Sequence, residues 1–342
     1  MMTKLETTAA LEERLSRPSE ADVSAMAEIE GDLLILGAGG KMGPSLAALA
    51  RRASDKAKIQ RRIIAVSRFA DQGLPRQLEE QRIEAISLDL LDPGALGRLP
   101  DIPNVIFMAA RKFGTTGSAH LTWAMNTFLP GLVAERFRDS RIVAFSTGNV
   151  YSLRRVSEGG ATESMPVDPQ GEYAQSALGR ERMFEHGASR WGTRVALLRL
   201  NYAVELRYGV LADIAQAVFE RRPIDLRMGF VNVIWQGDAN SICLRSFTHC
   251  SSPPFILNVT GPEILSVREV AEQFGEKFGV HPVFESDESE TALLNDASKC
   301  HRLFGCPSVK IPEIIAWVAD WVSDRQEMLN KPTHFSSRDG KF

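Results

Sequence analysis

Cysteine is scarce: the chain has four in 342 residues, at 243, 250, 300 and 306, all in the second half. No two stand in a C-x-x-C pair, which argues against a disulfide-stapled scaffold and a conventional zinc site. The neighbours His249 and His301 leave a Cys/His site as the lesser alternative to ordinary reduced thiols. No apolar run approaches the roughly 20 residues of a membrane span. The charged opening from Met1 to Glu30 lacks the apolar centre of a signal peptide. Charge of one sign is lacking too: 40 basic residues face 43 acidic ones, a net −3, and such a balance draws neither nucleic acid nor an anionic membrane. Internal repeats and low-complexity segments are missing. The expectation left by these absences is a cytoplasmic globular protein acting on a small molecule, with no nucleic-acid or membrane partner. Hydrophobic residues make up 44% of the chain, enough for a sizeable core.

What is present is organised around Leu33-Leu-Ile-Leu-Gly-Ala-Gly-Gly-Lys-Met-Gly43. A four-residue apolar run ends in a glycine cluster, and a helical pattern from Ser45 to Arg52 follows at once. Strand, glycine turn and helix in that order make the first unit of a dinucleotide-binding fold. Gly37 permits the tight turn, Gly40 lets backbone approach a pyrophosphate, and Gly43 lets the helix pack on the strand. Lys41 and Met42 complete the loop. Bound phosphates then sit at a helix N-terminus, where free N–H groups favour anions.

Downstream, Arg62 to Arg68 reads as a buried strand, and the basic run between Arg51 and Arg62 as a solvated helix face and loop. The end of the second strand meets the adenosine ribose, where an acid suits NAD and an arginine suits NADP. Ser67-Arg68 stands there, so NADP is preferred over NAD, although Asp71 follows closely. Further strands are expected over Ile83–Leu88, Asn104–Ala110, Arg141–Thr147 and Thr193–Leu200, with a long helix from His120 to Phe137 containing Asn126. This alternation predicts an α/β protein with a Rossmann-type, doubly wound parallel sheet and a smaller mixed C-terminal substrate lobe. The expected division is a helical extension over 1–30, the dinucleotide domain over 31–203 with 229–260, the lobe over 204–228 and 261–330, and a tail over 331–342. The extension, with a capping box at Ser19 and Asp22, is expected to pack outside the main domain. Trp235, Trp317 and Trp321 read as packing residues. The tail is either loosely ordered or a clamp on a neighbouring subunit.

Several motifs then fall in register with one family. The glycine loop, Asp89-Leu90 after the third strand, Ala109-Ala110, Asn126, Ser146-Thr147-Gly-Asn-Val-Tyr151, Tyr173-Ala-Gln-Ser-Ala177 and Asn258-Val-Thr-Gly-Pro262 together resemble the extended short-chain dehydrogenase/reductases, the NAD-dependent epimerase/dehydratase family. The resemblance spans about residues 31 to 325. It implies an NAD(P)-dependent oxidoreductase or epimerase acting on a hydroxyl or ketone of a sugar or nucleotide-sugar-like substrate. Tyr173 would be the acid/base and Thr147 the hydrogen-bond partner of the substrate oxygen, with Asn201 and Tyr173 also near the cofactor. A homodimer through the helices bearing Asn126 and Tyr173 is expected by the same resemblance.

Two departures matter. The family's lysine, four residues after the tyrosine, is Ala177 here. A phenol with an unperturbed pKa near 10 needs nearby positive charge to act as a base at neutral pH, so three readings follow. Lys112 or Arg180 stands in, Lys112 being the better placed. Alternatively the chain binds nucleotide without turnover, as a sensor or scaffold, or it uses a substrate already activated for proton loss. The second departure is Gly148-Asn149, where 4,6-dehydratases of the family carry Asp-Glu; neither residue transfers protons, which argues against that activity.

Overall fold

The computed structural model describes residues 4–112, 117–331 and 333–340. Seven parallel strands form the central sheet: β1 (Leu33–Leu36), β2 (Ile63–Ser67), β3 (Glu84–Ser87), β4 (Asn104–Phe107), β5 (Arg141–Thr147), β6 (Arg194–Leu200) and β7 (Phe255–Val259). Their order across the sheet is 3-2-1-4-5-6-7, so the winding reverses between β1 and β4, and ligands bind at the carboxyl ends beside that switch point. The run Leu33-Leu-Ile-Leu is buried throughout because the sheet is covered on both faces. Strand alternation sends Leu33 and Ile35 to one face, where they meet Met26, Leu46 and Leu49, and Leu34 and Leu36 to the other, with Val133 and Phe184.

The helices begin with α1 (Thr8–Leu15), α2 (Glu20–Glu28), α3 (Gly43–Lys56) and α4 (Leu74–Glu80). The long pattern from His120 is three pieces: α5 (Ala119–Trp123), a π-helical turn (Ala124–Phe128) and α6 (Leu129–Arg136). α7 (Gly171–Trp191) carries Tyr173. The rest are α8 (Val210–Phe219), α9 (Gln236–Arg245), α10 (Val267–Phe278), α11 (Ser298–Phe304) and α12 (Ile311–Ser323). Short two-stranded pairs, such as Pro223–Asp225 with Val283–Glu285, complete the smaller lobe.

Two expectations need correcting. The extension packs on the main domain only in part: Met26 and Ile29, at the end of α2, join the core of the main sheet, whereas Leu11 and Leu15 of α1 join Trp235, Trp317 and Trp321 in a second core. The basic run is not simply solvated: Arg61 is 7% exposed, its Nη2 donating to the Met26 and Ile29 carbonyls, and Arg51 is bonded to the Arg61 carbonyl and to Asp55. Arg61 thereby closes the carbonyl end of α2, where cations are favoured, and Arg51 holds the Arg61 carbonyl. The capping box on α2 is present, Ser19 accepting from the Asp22 amide while Asp22 accepts from the Ser19 amide.

Candidate active site

β1 delivers the chain into the glycine loop, and Gly37 leaves it at φ +93°, where a side chain is strained; a Cβ would also lie 2.5 Å from the Ala109 nitrogen. At Gly43 a Cβ would fall on the Ala38 carbonyl, so only glycine lets α3 lie this close to the loop. Above Gly40 the space is open: a Cβ would meet only the Gly37 oxygen, 3.6 Å away. Gly39, unremarked in the sequence, is also crowded, because a Cβ would stand 2.5 Å from the side chain of Ser67 at its Oγ. Gly37, Gly40, Ser67 and Arg68 share a cleft of about 250 Å³ with Asp89 and Leu90 after β3 and with Ala109 and Ala110 after β4. This cradle, at the start of a helix, fits a dinucleotide. Arg68 is 70% exposed at the rim, its Nη1 3.6 Å from Asp89 Oδ2.

Three other residues read as cofactor contacts sit differently. Met42 is buried in the sheet core at the N-cap of α3. Asn201 is buried with its amide donating to Asn232 Oδ1 at 2.8 Å. Lys41 turns its side chain towards the smaller lobe, where Nζ donates to the Ala203 carbonyl at 3.2 Å and lies 3.4 Å from the Tyr208 ring centroid.

The catalytic candidates are ordered by Asn126. The π turn sets its side chain between two segments: Oδ1 accepts from the Arg111 amide (2.8 Å), and Nδ2 donates to the Arg111 carbonyl (2.9 Å) and to Ser176 Oγ (3.0 Å). This pins the loop after β4 to the first turns of α7, and such single π turns recur at functional sites. Lys112, next along that loop, holds its Nζ 5.9 Å from the Tyr173 ring centroid and donates to the Thr333 carbonyl at 3.4 Å. Burial lowers its pKa to about 8, with Asp213 opposing. Tyr173 is 8% exposed, and Thr147 is equally buried with its Oγ1 accepting from the Asn149 amide.

Arg180 is no cleft cation. It is 2% exposed, donates to the Phe145 carbonyl at 2.7 Å and to Asn126 Oδ1 at 3.2 Å, and is drawn below its usual pKa by burial. Ala177 is fully buried in a small apolar cluster with Val150, Tyr151 and Ala161. Below it lies a buried ion pair: Arg199 meets Glu181 through two nitrogens at 3.0 and 2.7 Å, Ser146 Oγ donates to Glu181, and Arg199 Nη1 donates to the Tyr151 hydroxyl. Burial alone would lower Arg199; the Glu181 carboxylate outweighs it and the net shift is upward. The network fixes the strand end on which Thr147 stands.

The smaller lobe contributes Tyr208 and Asp213, which the sequence reading missed. Burial pushes the Tyr208 phenol well up, with Asp213 and Tyr173 adding to the effect. Asp213, on α8, accepts from the Thr333 amide (2.8 Å) and hydroxyl (2.6 Å), and is itself raised by burial. The described part of the tail lies on its own chain, Arg338 donating to the Arg227 and Thr291 carbonyls.

Residues 33–204 match the model of the NAD dependent epimerase/dehydratase family. The chain belongs to that family. It is therefore an enzyme of the extended short-chain dehydrogenase/reductase type. Among curated proteins no sequence matches it. Similar solved structures include MoeE5 in complex with UDP-glucose and NAD, 19% identical, TM-score 0.71, covering 86% of this chain and 99% of that one. The UDP-glucuronic acid 4-epimerase of Bacillus cereus in complex with NAD is 16% identical over 86% of this chain and 100% of that one, TM-score 0.73. DesIV, the dTDP-glucose 4,6-dehydratase of Streptomyces venezuelae, is 18% identical over 86% and 97%, TM-score 0.71. At these identities they share the fold. No described helix is long and apolar enough to cross a membrane.

Proposed function

We propose that this family member is an NAD(P)-linked oxidoreductase or epimerase acting on a hydroxyl or ketone of a nucleotide-sugar-like substrate. Tyr173 is the acid/base, Thr147 holds the substrate oxygen, and Lys112 supplies the positive charge that Ala177 does not. The observation that carries this reading is the Lys112 ammonium 5.9 Å from the Tyr173 ring, on a loop locked by Asn126. A bound nicotinamide supplies hydride transfer. The chain's own groups do the rest. Tyr173 takes or returns the hydroxyl proton, the lysine charge favours the phenolate during that transfer, and the hydroxyl of Thr147 hydrogen-bonds the same oxygen. NAD and sugar nucleotides in the similar structures support the substrate class. The substrate cleft then runs between the sheet's carboxyl edge and the lobe formed by 204–228 and 261–330. Net reduction of added cofactor, followed by absorbance, and conversion of the sugar to its epimer, followed by NMR, across a panel of nucleotide sugars test the reading; a cofactor-loaded protein inert by both measures to the whole panel would remove it.

Arg68 selects NADP on the same reading, its guanidinium being free to swing from Asp89 onto a 2′-phosphate at the rim. Calorimetry is expected to give tighter NADP⁺ than NAD⁺ binding. Arg68→Ala should weaken NADP⁺ about tenfold or more, the worth of a charge-assisted hydrogen bond, and leave NAD⁺ nearly unchanged. A wild-type preference for NAD⁺ contradicts this assignment.

A homodimer through α5, α6 and α7 is part of the proposal. Leu121, Trp123 and Phe128 are 42%, 37% and 60% exposed there, beside an apolar groove of about 500 Å³ formed with Gly131 and Met183. Such a patch marks an association surface. Sedimentation should find a dimer for the wild type and a monomer for Phe128→Glu; an unchanged mass for the variant rules this face out.

A further inference from the structure

Residues 333–340 tie together the two walls of the proposed substrate cleft. On the lobe side, Thr333 donates its amide and hydroxyl protons to Asp213 of α8, at 2.8 and 2.6 Å. Arg338 donates to the Arg227 and Thr291 carbonyls, both at 2.7 Å, and to Thr291 Oγ1 at 2.6 Å. On the sheet side, the Thr333 carbonyl accepts from Lys112, whose ammonium lies 5.9 Å from the Tyr173 ring centroid. Gly340 then lies backbone to backbone on the start of α7. A Cβ on Gly340 would stand 2.2 Å from the Gln170 oxygen, and one on Gly171 would stand 2.4 Å from the Gly340 oxygen. Only glycine lets the two segments come this close. The tail thus meets the sheet domain at two points beside Tyr173, one through Lys112 and one through the first residue of Tyr173's own helix.

Between its anchors the segment is loosely seated. Phe335 is half-buried against the lobe, but His334, Phe335 and Ser336 wall a cavity of about 670 Å³ with α8. His334 turns at φ +53°, in the left-handed region that side chains disfavour. Arg338 meets neutral oxygens, which hold a cation less firmly than a carboxylate does. Behind the segment, Tyr173 and Thr147 are 8% and 6% exposed. The cofactor cleft of about 250 Å³, from Gly37 to Met125, is lined by neither of them.

We propose that residues 333–340 are an autoinhibitory strap: seated, they close the way to Tyr173 and Thr147, and a substrate enters only when they leave. The cofactor cleft is lined by none of these residues, so the strap governs the substrate and not the cofactor. The inference rests on the reading that the substrate lies between sheet and lobe with Tyr173 at the reacting carbon.

Acetylation of tyrosines by N-acetylimidazole, read residue by residue by mass spectrometry, tests the strap without any substrate. Gly340→Val, whose side chain does not fit against Gln170, should unseat the end of the strap and speed acetylation of Tyr173 about tenfold or more, the worth of one or two hydrogen bonds. Arg338→Ala should do the same from the lobe side. Tyr151, buried and bonded to Arg199 and Asn258, should keep its wild-type rate and serves as the internal control. Unchanged labelling of Tyr173 in both variants, or a rise that Tyr151 shares in both, overturns the inference. UDP-glucose and dTDP-glucose, titrated into the protein loaded with NAD or NADP, are the substrate probes. Whichever binds should bind about tenfold tighter to Gly340→Val than to the wild type, with cofactor affinity unchanged. Weaker binding by the variant means that the tail completes the site, and also overturns the inference. If neither nucleotide sugar binds while Tyr173 labels faster in the variants, the strap stands and the nucleotide-sugar reading falls.

Discussion

Tyr173→Phe is expected to lower turnover by a factor of about 10² to 10⁴, the usual worth of a positioned acid/base, while cofactor affinity changes little. The hydroxyl is the one group removed, and the ring remains in its buried place at the start of α7. The backbone there is held independently, since Ser176 Oγ donates to the Tyr173 carbonyl and also accepts from Asn126. A loss of turnover with an unshifted melting temperature and unshifted cofactor titration therefore reads out chemistry. Turnover within a few-fold of the wild type would take Tyr173 out of the role and direct attention to Tyr208.

The second large effect is on stability. Arg199 and Glu181 are 4% and 0% exposed at their side chains, and breaking a buried pair from one side leaves the other charge unmatched. Arg199→Met should cost about 3–5 kcal/mol, a fall in melting temperature on the order of 10 °C for a domain of this size. Pairing it with Glu181→Leu should recover part of the loss, because the stranded carboxylate is gone. Only part is recoverable: Ser146 and Tyr151 each lose a partner in the double variant. A melting temperature unchanged in Arg199→Met would mean that water reaches Glu181 and the pair is not structural.

The contrast between these two sites shows which information is local. Gly37, Gly40 and Gly43 were legible because their demands are made by the backbone within a few residues, and the strand patterns because burial on both faces of a parallel sheet leaves continuous apolar runs. Asp89, Ala109 and Ala110 were legible through the order of the motifs, since each follows a strand whose carboxyl end faces the cleft. Lys41 was legible as a loop residue but not in its direction, which depends on Tyr208 and Ala203, more than 160 positions away along the chain. The same holds for Asp213 and Thr333, which meet only after the smaller lobe has folded. Arg51 and Arg61 looked like a solvated run because their composition is polar; Arg61 is buried by carbonyls at the end of α2, and Arg51 by the Arg61 carbonyl and Asp55. The π turn was invisible because nothing in the residues from Ala124 to Phe128 marks the extra residue in that turn. Ala177 is buried among Val150, Tyr151 and Ala161, so a lysine there would have to displace them or leave its charge unmatched among them.

Thr333 touches both sides of the cleft, giving its carbonyl to Lys112 and its amide and hydroxyl to Asp213. A substrate that needs Lys112 or Asp213 competes with the tail for them, and thermodynamic linkage makes that antagonism mutual. Whatever factor of affinity the substrate loses to the tail, the tail loses to the substrate. Changes far from the chemistry, such as loss of the Arg338 contacts with Arg227 and Thr291, then tune substrate affinity by weakening a competitor that is part of the same chain.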